Sequence, residues 1–157
     1  MRQLIKKCAL LLLPIMFINS VVHAAATFSV NSGNDSLPVV LGLLDNAPSG
    51  LQLLGKSDDT IVPFMITGDG TQSGTWSYSG FDVFAVAIKA GPNFLLVDYT
   101  NDGPVSSDNW CTDASCSISG TTASSVPPLP ELIVGKSNNP DLSHLSLYGV
   151  ETTISTV

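Results

Sequence analysis

Residues 82–89 (DVFAVAIK) constrain the fold more than any other stretch, because both faces of a strand formed there would be apolar. Alternation gives one face with Phe84, Val86 and Ile88 and another with Val83, Ala85, Ala87 and Lys89. Such a run, rich in β-branched and aromatic residues, is typical of a strand buried on both sides. The sequence therefore predicts a central strand here.

The residues around this stretch predict its neighbours. Residues 90–93 (AGPN) are turn formers, and the proline fixes its own φ and removes a hydrogen-bond donor. Residues 94–99 (FLLVDY) then predict a returning strand and hence a hairpin. Upstream, residues 75–78 (TWSY) alternate polar and aromatic types, which predicts a third strand with one polar face.

The first residues have the pattern of an export signal. Arg2, Lys6 and Lys7 precede an apolar core over 8–18, and the small-residue sequence at 22–24 suits cleavage after Ala24. The core has about half of the roughly 20 residues that a membrane-spanning helix needs. We predict a signal peptide at 1–24, one domain at 25–157, secretion, and no membrane anchor in the mature chain.

Charge narrows the range of partners. Without the leader, Lys56, Lys89 and Lys136 are the remaining lysines and arginines against 13 acidic residues. Nucleic acids and anionic membranes are recognised by cationic surfaces, so neither is an expected partner. Divalent cations stay open, and no cofactor is predicted. Calcium is an alternative at four loop residues whose spacing matches no known calcium loop: Asp98, Asn101, Asp102 and Asp108.

The mature chain has two cysteines, Cys111 and Cys116. An even number in an exported protein predicts a disulfide, which in so short a loop is worth about 2 kcal/mol. Zinc is the rival interpretation, but two thiolates without a nearby histidine are too few ligands.

The rest of the chain reads as short strands separated by turn residues. Strands are predicted at 27–30, 39–44, 51–56, 61–67, 132–134 and 142–148, with a further edge strand possible at 150–157. Pro63 places the 61–67 strand at a sheet edge or a bulge. Residues 100–126 are polar and are predicted to form a long loop. Together these features predict an all-β fold, a single-domain, jelly-roll-like antiparallel β-sandwich.

Two motifs associated with chemistry are present in incomplete form. Residues 50–57 (GLQLLGKS) match the P-loop letters, but the motif needs a helix after it, and Asp58 and Asp59 would repel phosphate. His144 is the mature chain's one histidine. In the predicted strand at 142–148, alternation places His144, Ser146 and Tyr148 on one face and Ser143, Leu145 and Leu147 on the other, so Ser143 points away from His144. We therefore predict no nucleotide binding, a hydrogen-bonded structural histidine, and no enzyme activity.

Aromatic residues offer a binding alternative. Trp76, Tyr78 and Trp110, with Tyr99 and Tyr148, are the mature chain's tryptophans and tyrosines. Flat rings pack against the C–H faces of sugars, so Trp76, Tyr78 and Trp110 are candidates for ligand stacking. The competing interpretation is that the face carrying Trp76 and Tyr78 belongs to the core.

Four pieces of sequence carry a resemblance to a known group: LGKSD at 54–58, SGTWS at 73–77, the end of 84–91 (IKAG), and LSHLSLYG at 142–149. In this order they resemble the ectodomains of PEP-CTERM proteins, the exosortase-sorted exported proteins of Gram-negative bacteria. The resemblance implies a β-sandwich that passes through the periplasm and is displayed or released outside the cell. It also implies a link to extracellular polysaccharide and biofilm, and it transfers no catalytic residues.

The resemblance ends before the carboxyl terminus. Those proteins finish with Pro-Glu-Pro, an apolar helix and a basic tail, and this pattern is not found after residue 149. The expectation is an anchorless secreted relative or a chain whose tail was lost. The predicted function is a structural or binding role in the extracellular matrix or biofilm, with polysaccharide or other matrix components as partners. The alternative is a carbohydrate-binding module.

Overall fold

The fold consists of two antiparallel sheets packed together, as seen in a computed structural model that describes residues 26–60, 63–112 and 141–151. The five-stranded sheet has the order β1-β6-β5-β8-β2, and the three-stranded sheet has the order β3-β4-β7. The elements are β1 Thr27–Ser32, α1 Leu37–Leu41, β2 Gln52–Lys56, β3 Met65–Ile66, β4 Ser73–Ser77, β5 Phe81–Ala90, β6 Asn93–Asp98, β7 Ser107–Cys111 and β8 His144–Glu151. The predicted all-β sandwich is confirmed. The predicted signal peptide at 1–24 lies outside the described residues.

Strand β5 is the central strand of the larger sheet, as predicted. It pairs with β6 on one side and β8 on the other. The β5–β6 hairpin closes at the pair Ala90↔Asn93 through Gly91 and Pro92. Gly91 has a φ of 64°, a left-handed conformation that glycine adopts without steric cost.

A β-bulge changes the faces predicted for β5. The pairing of β5 with β8 shifts register between Val83 and Ala85. A bulge adds one residue to a strand and so reverses the alternation on one side of it. Val83 therefore joins Val86 and Ile88 in the inter-sheet core, while Phe84 packs on the opposite face. The prediction that Phe84 shares a face with Val86 and Ile88 is wrong.

The main core lies between the two sheets. Its fully buried rings and aliphatic side chains come from both sheets and include Trp76, Trp110, Val86, Ile88, Leu95, Val97, Leu145 and Leu147. The indole nitrogen Nε1 of Trp110 donates to the carbonyl oxygen of Thr67 at 3.1 Å. This bond satisfies a polar atom that burial would otherwise leave without water.

A short helix covers the outer face of the larger sheet. Residues 39–44 were predicted as a strand, and this prediction is wrong, because residues 37–41 form α1. Pro38 stands in the first turn, where its missing N–H costs nothing. Val40 is fully buried and packs with Leu44 and Leu51 in a second core over β5 and β6. This helix is why β5 is apolar on both faces.

The smaller sheet contains a strand that was predicted as loop. Residues 107–111 form β7, which pairs with β4 along its whole length, so the prediction of a loop over 100–126 is wrong in this part. Strand β3 lies at a sheet edge close to Pro63, as predicted. The predicted strand at 132–134 lies outside the described residues. No helix among the residues that the structure describes is long and apolar enough to span a membrane.

Candidate functional site

A buried carboxylate, Asp35, is the centre of a polar cluster on the outer face of the larger sheet. Its side chain has no exposed surface. His144 Nε2 lies 3.0 Å from Asp35 Oδ2, and Lys56 Nζ lies 3.1 Å from Oδ1. The hydroxyl of Ser146 donates to Oδ2, and the phenol of Tyr148 donates to the main-chain oxygen of Asp35. We refer to these five residues as the Asp35 cluster.

Strand geometry brings four of these residues together. Side chains alternate along β8, so His144, Ser146 and Tyr148 share the face opposite Leu145 and Leu147, as the sequence predicted. Strand β2 pairs with β8 in a register that places Lys56 opposite Ser146. Asp35 enters from the turn between β1 and α1. Three separate parts of the chain therefore meet at one carboxylate.

The surroundings of Asp35 keep it ionised. Burial by itself would raise the pKa of this carboxyl, because it removes water from the charged form. Hydrogen bonds from His144 and Ser146, the charge of His144 and the hydrogen bond from Lys56 outweigh burial and lower the pKa well below its usual range. Burial and the nearby charge of Asp35 raise the pKa of Tyr148. The cluster is therefore built around a carboxylate anion.

His144 contacts a second carboxylate and the lysine as well. Its Nδ1 atom lies 3.5 Å from Asp58 Oδ2, and its Nε2 atom lies 3.3 Å from Lys56 Nζ. The predicted hydrogen bonding of His144 is confirmed. Its sequence neighbour Ser143 accepts a hydrogen bond from the main-chain nitrogen of Gly91 at 3.3 Å instead. An amine, a carboxylate and an imidazole are thus in mutual contact.

The residues that match P-loop letters have other tasks in this fold. Residues 52–56 form β2, and Lys56 is paired with Asp35. Ser57 exchanges hydrogen bonds with Leu145: its hydroxyl accepts from Leu145 N at 2.8 Å, and its own N–H donates to Leu145 O at 2.9 Å. Both side chains that would contact phosphate and metal in a P-loop are therefore engaged within the protein.

Two of the three candidates for sugar stacking lie in the core. Trp76 is 1% exposed and Trp110 is 0% exposed, so neither ring has a face that a ligand can reach. The stacking prediction is wrong for both, because β4 and β7 turn these rings toward the other sheet. Tyr78 is half-buried. Its ring lies 6.5 Å from that of Phe64 in an edge-on arrangement and 5.2 Å from that of Phe81.

Tyr78 lines a groove on the smaller sheet. The groove has a volume of about 420 Å³ and is bounded by Phe64, Met65 and Tyr78 together with serines 77, 79, 106 and 107. A second depression of about 290 Å³ shares Ser77 and Ser107 and adds polar groups of β4 and β7, among them Thr75 and Asn109. We call the two together the serine groove. It combines hydroxyl groups with aromatic residues, among them Phe64 and Tyr78.

The calcium candidates do not form a common site. Asp98 accepts a hydrogen bond from the N–H of Thr100 at 2.7 Å, and Asn101 accepts one from Asn46 at 2.6 Å. Asp108 accepts from the Tyr99 hydroxyl and from the N–H of Asn109, both at 2.7 Å. One buried oxygen of Asp102 has no hydrogen-bond partner among the described residues. Within ranges 26–60, 63–112 and 141–151, no group of three or more acidic, histidine or cysteine side chains could hold a metal ion.

The predicted disulfide can be placed at one end. Cys111 is fully buried at the end of β7, whereas Cys116 lies outside the described residues. The bridge stays a prediction. The intact mass of exported protein before and after reduction and alkylation tests it, and two thiols that react without reduction would contradict it.

Comparison with known proteins leaves function to be argued from this geometry. No family model, curated protein or solved structure matches the chain. The resemblance to PEP-CTERM ectodomains stays an expectation, and its four pieces lie in or beside β2, β4, β5 and β8. Asp35 is not among the predicted site residues, because the residues that contact its carboxylate or its main chain lie between 21 and 113 positions away along the chain.

Proposed function

We propose that this protein is a secreted or surface-associated β-sandwich with a structural or binding role in the extracellular matrix or biofilm, and that it is not an enzyme. One observation carries the proposal: the side chains most suited to chemistry are used to hold the fold together. His144, Lys56 and Ser146 all contact the buried Asp35. The two tryptophans are core residues.

Two features of the sequence support the proposed location outside the cell. The export signal expected at residues 1–24 and the acidic mature chain suit a soluble protein outside the cell. The resemblance to PEP-CTERM ectodomains adds export through the periplasm of a Gram-negative bacterium and association with extracellular polysaccharide.

Cell fractionation tests the proposed location, and loss of the protein tests its role in the biofilm. We expect the mature protein, beginning after Ala24, in the culture medium or in the extracted matrix. Loss of the protein should weaken the biofilm or change its composition, and the wild-type gene should restore it. Protein found in the cytosol with its leader intact would contradict the proposal.

Carbohydrate binding is the second candidate, and the serine groove favours it. Serine and threonine hydroxyls donate and accept hydrogen bonds, which suits the alternating donors and acceptors of a polysaccharide. The Tyr78 ring gives the same groove a flat apolar surface beside Phe64 and the exposed Met65. A small apolar surface among a few placed polar groups is the usual composition of a ligand site.

A matched pair of variants tests the groove on a glycan array. Tyr78→Ala removes the ring, whereas Tyr78→Phe keeps the ring and loses the hydroxyl. We expect binding of the wild type and of Tyr78→Phe, and at least a tenfold loss for Tyr78→Ala. Because the Tyr78 ring packs against the inter-sheet core, circular dichroism must show that Tyr78→Ala is folded at the temperature of the array. Trp110→Ala is unsuitable because the ring is buried, so its loss would destabilise the fold. Equal binding by both Tyr78 variants would exclude the groove.

A further inference from the structure

We propose that the Asp35 cluster is a site of covalent self-modification, in which Lys56 and Asp35 join through an intramolecular amide bond. Lys56 Nζ lies 3.1 Å from Asp35 Oδ1, so the amine and the carboxyl group are already in contact. Asp35 is fully buried and Lys56 is 22% exposed, which limits competition from water. Holding two reactants in this geometry replaces a bimolecular encounter and removes most of its entropic barrier.

The reaction needs no reagent from outside. One proton first passes from the ammonium group of Lys56 to Oδ1 of Asp35, which leaves a neutral amine and a neutral carboxyl group. The amine lone pair then attacks Cγ, the bond from Cγ to Oδ1 breaks, and Oδ1 leaves as water with the second amine proton. An ammonium and a carboxylate thus become one amide and one water molecule, with no change in oxidation state.

The surrounding groups match the needs of this reaction. His144 Nε2 lies 3.3 Å from Lys56 Nζ and 3.2 Å from Asp35 Oδ1, the two atoms between which protons must move. Its imidazole can therefore transfer each proton. The Ser146 hydroxyl donates to Oδ2, the oxygen that stays in the amide and carries negative charge in the tetrahedral intermediate. Asp58 Oδ2, 3.5 Å from Nδ1, orients the ring.

The ion pair is the resting form, so the reaction begins from a carboxylate that its neighbours stabilise. The first proton transfer is uphill, and the amide should therefore form slowly after folding, not at once. The bond would join the turn before α1 to β2, an edge strand of the larger sheet. A covalent link there would resist the opening of both elements outside the cell.

Mass spectrometry of the exported chain tests the proposal. We expect the denatured and reduced protein to be lighter than its sequence by one water molecule after prolonged incubation at neutral pH. Trypsin should no longer cut after Lys56, because the amide removes its charge. The tryptic peptide that contains Asp35 should then extend past Lys56 to Lys89, the next cleavage site, whereas without the amide it ends at Lys56. No loss of water in the wild type would overturn the proposal.

The matched control is Lys56→Arg, which keeps a cation beside Asp35 but should not form this amide. This variant should have its full sequence mass and should be cut after residue 56. A succinimide formed by Asp35 alone would also lose water, but it would survive in Lys56→Arg and leave Lys56 cleavable in the wild type. Either of these results would overturn the proposal.

A second variant tests the proton transfer. His144→Gln keeps a polar side chain but cannot shuttle protons as imidazole does. We expect amide formation to slow by about 10²-fold or more. Circular dichroism establishes that this variant is folded. Formation at the wild-type rate in folded His144→Gln would overturn the role given to the imidazole.

Discussion

Asp35 connects three parts of the chain that are far apart in sequence. Its carboxylate contacts Lys56 from β2 and His144 and Ser146 from β8, and Tyr148 holds its main chain. Removing one member of a buried ion pair leaves the partner's charge without compensation, which costs about 3–5 kcal/mol. The cluster therefore ties the turn before α1 to the sheet.

The first prediction concerns acid stability of freshly folded protein, in which Asp35 is still a carboxylate. The pKa of Asp35 is lowered in the folded state, whereas in the unfolded chain it is about 3.9. Because the folded state holds the ionised form more strongly, this stabilisation is fully present above about pH 4 and falls as the pH decreases below it. Urea melts at pH 7, 5, 4 and 3 measure the dependence.

Asp35→Asn is the control for this pH dependence. It should be about 3–5 kcal/mol less stable than wild type at pH 7. The difference between the two proteins should shrink as the pH falls from about 4. If the free energies of unfolding of the two proteins differ by the same amount at every pH, the charge of Asp35 does not contribute to stability.

Some of the single-residue roles could be predicted from the sequence and others could not. The alternation of β8 correctly separated His144 from Leu145, because strand periodicity is local. Asp35 was missed because its partners lie on strands that only the tertiary fold brings close. Trp76 and Trp110 were candidates for ligand stacking, with a core position as the competing interpretation for Trp76, since the sequence does not show which face of a strand meets the second sheet.

At the scale of elements, α1 and β5 depend on each other. The helix presents Val40 to the sheet and leaves Val39 40% exposed. The apolar face of β5 that contains Ala85 and Ala87 lies beneath it. The small side chains at these two positions allow the helix to pack close to the sheet.

The second prediction compares two adjacent valines of α1. Val40→Ala removes fully buried methyl groups and leaves a cavity, so we expect a loss of about 1–3 kcal/mol. Val39→Ala makes the same chemical change on the exposed side and should alter stability by about 0.5 kcal/mol or less. Thermal or urea melts measure both. Equal losses would mean that the helix does not present Val40 to the sheet.

The third prediction tests the inner face of β5. Val86 is 1% exposed in the inter-sheet core, so Val86→Asp buries a charge with neither water nor a partner. We expect the free energy of unfolding to fall by about 4 kcal/mol or more, which would unfold or severely weaken a domain whose total stability is about 5–15 kcal/mol.

Lys89→Asp is the control on the same strand. Lys89 is half-buried near the end of β5, and its ammonium group donates to the main-chain oxygen of Gly33. Lys89→Asp should lower the free energy of unfolding much less than Val86→Asp does, because the new carboxylate can reach water. A Val86→Asp protein that melts like wild type would exclude a central position for β5.

Element types were predictable where the pattern was long and regular. The β5–β6 hairpin was found from its apolar strands and its Gly-Pro turn. Helix α1 could not be predicted, because five residues are too few to show a helical period. Its apolar run suits a buried strand as well as a helix. The bulge after Val83 was also missed, since an extra residue in a strand leaves no mark on composition. Strand β7 is mostly polar because its outer face meets solvent.

For the whole molecule, the fold class followed from many short strands between turn residues, but the order of strands did not. Strand β8 comes after all the other described strands, yet it pairs with both β5 and β2 in the interior of the larger sheet. Such pairings join residues distant in sequence, and no local pattern specifies them.

The fourth prediction removes this strand. A fragment of residues 25–140 lacks β8, so β5 and β2 lose their shared partner and expose unpaired edges. We expect it to aggregate or to remain without cooperative unfolding. Adding a peptide of residues 141–157 should restore a cooperative melt, and the same peptide with Leu147→Asp should not. A fragment that folds alone would contradict the sheet order.

The position of β8 also sets the timing of folding. For a chain exported as proposed, β8 is synthesised and crosses the membrane after all the other described strands. Until β8 has crossed, β5 and β2 lack their shared partner and expose unpaired backbone N–H and C=O groups at their edges. If the chain is exported as proposed, we therefore expect it to remain unfolded while it crosses a narrow channel and to complete its larger sheet on the far side.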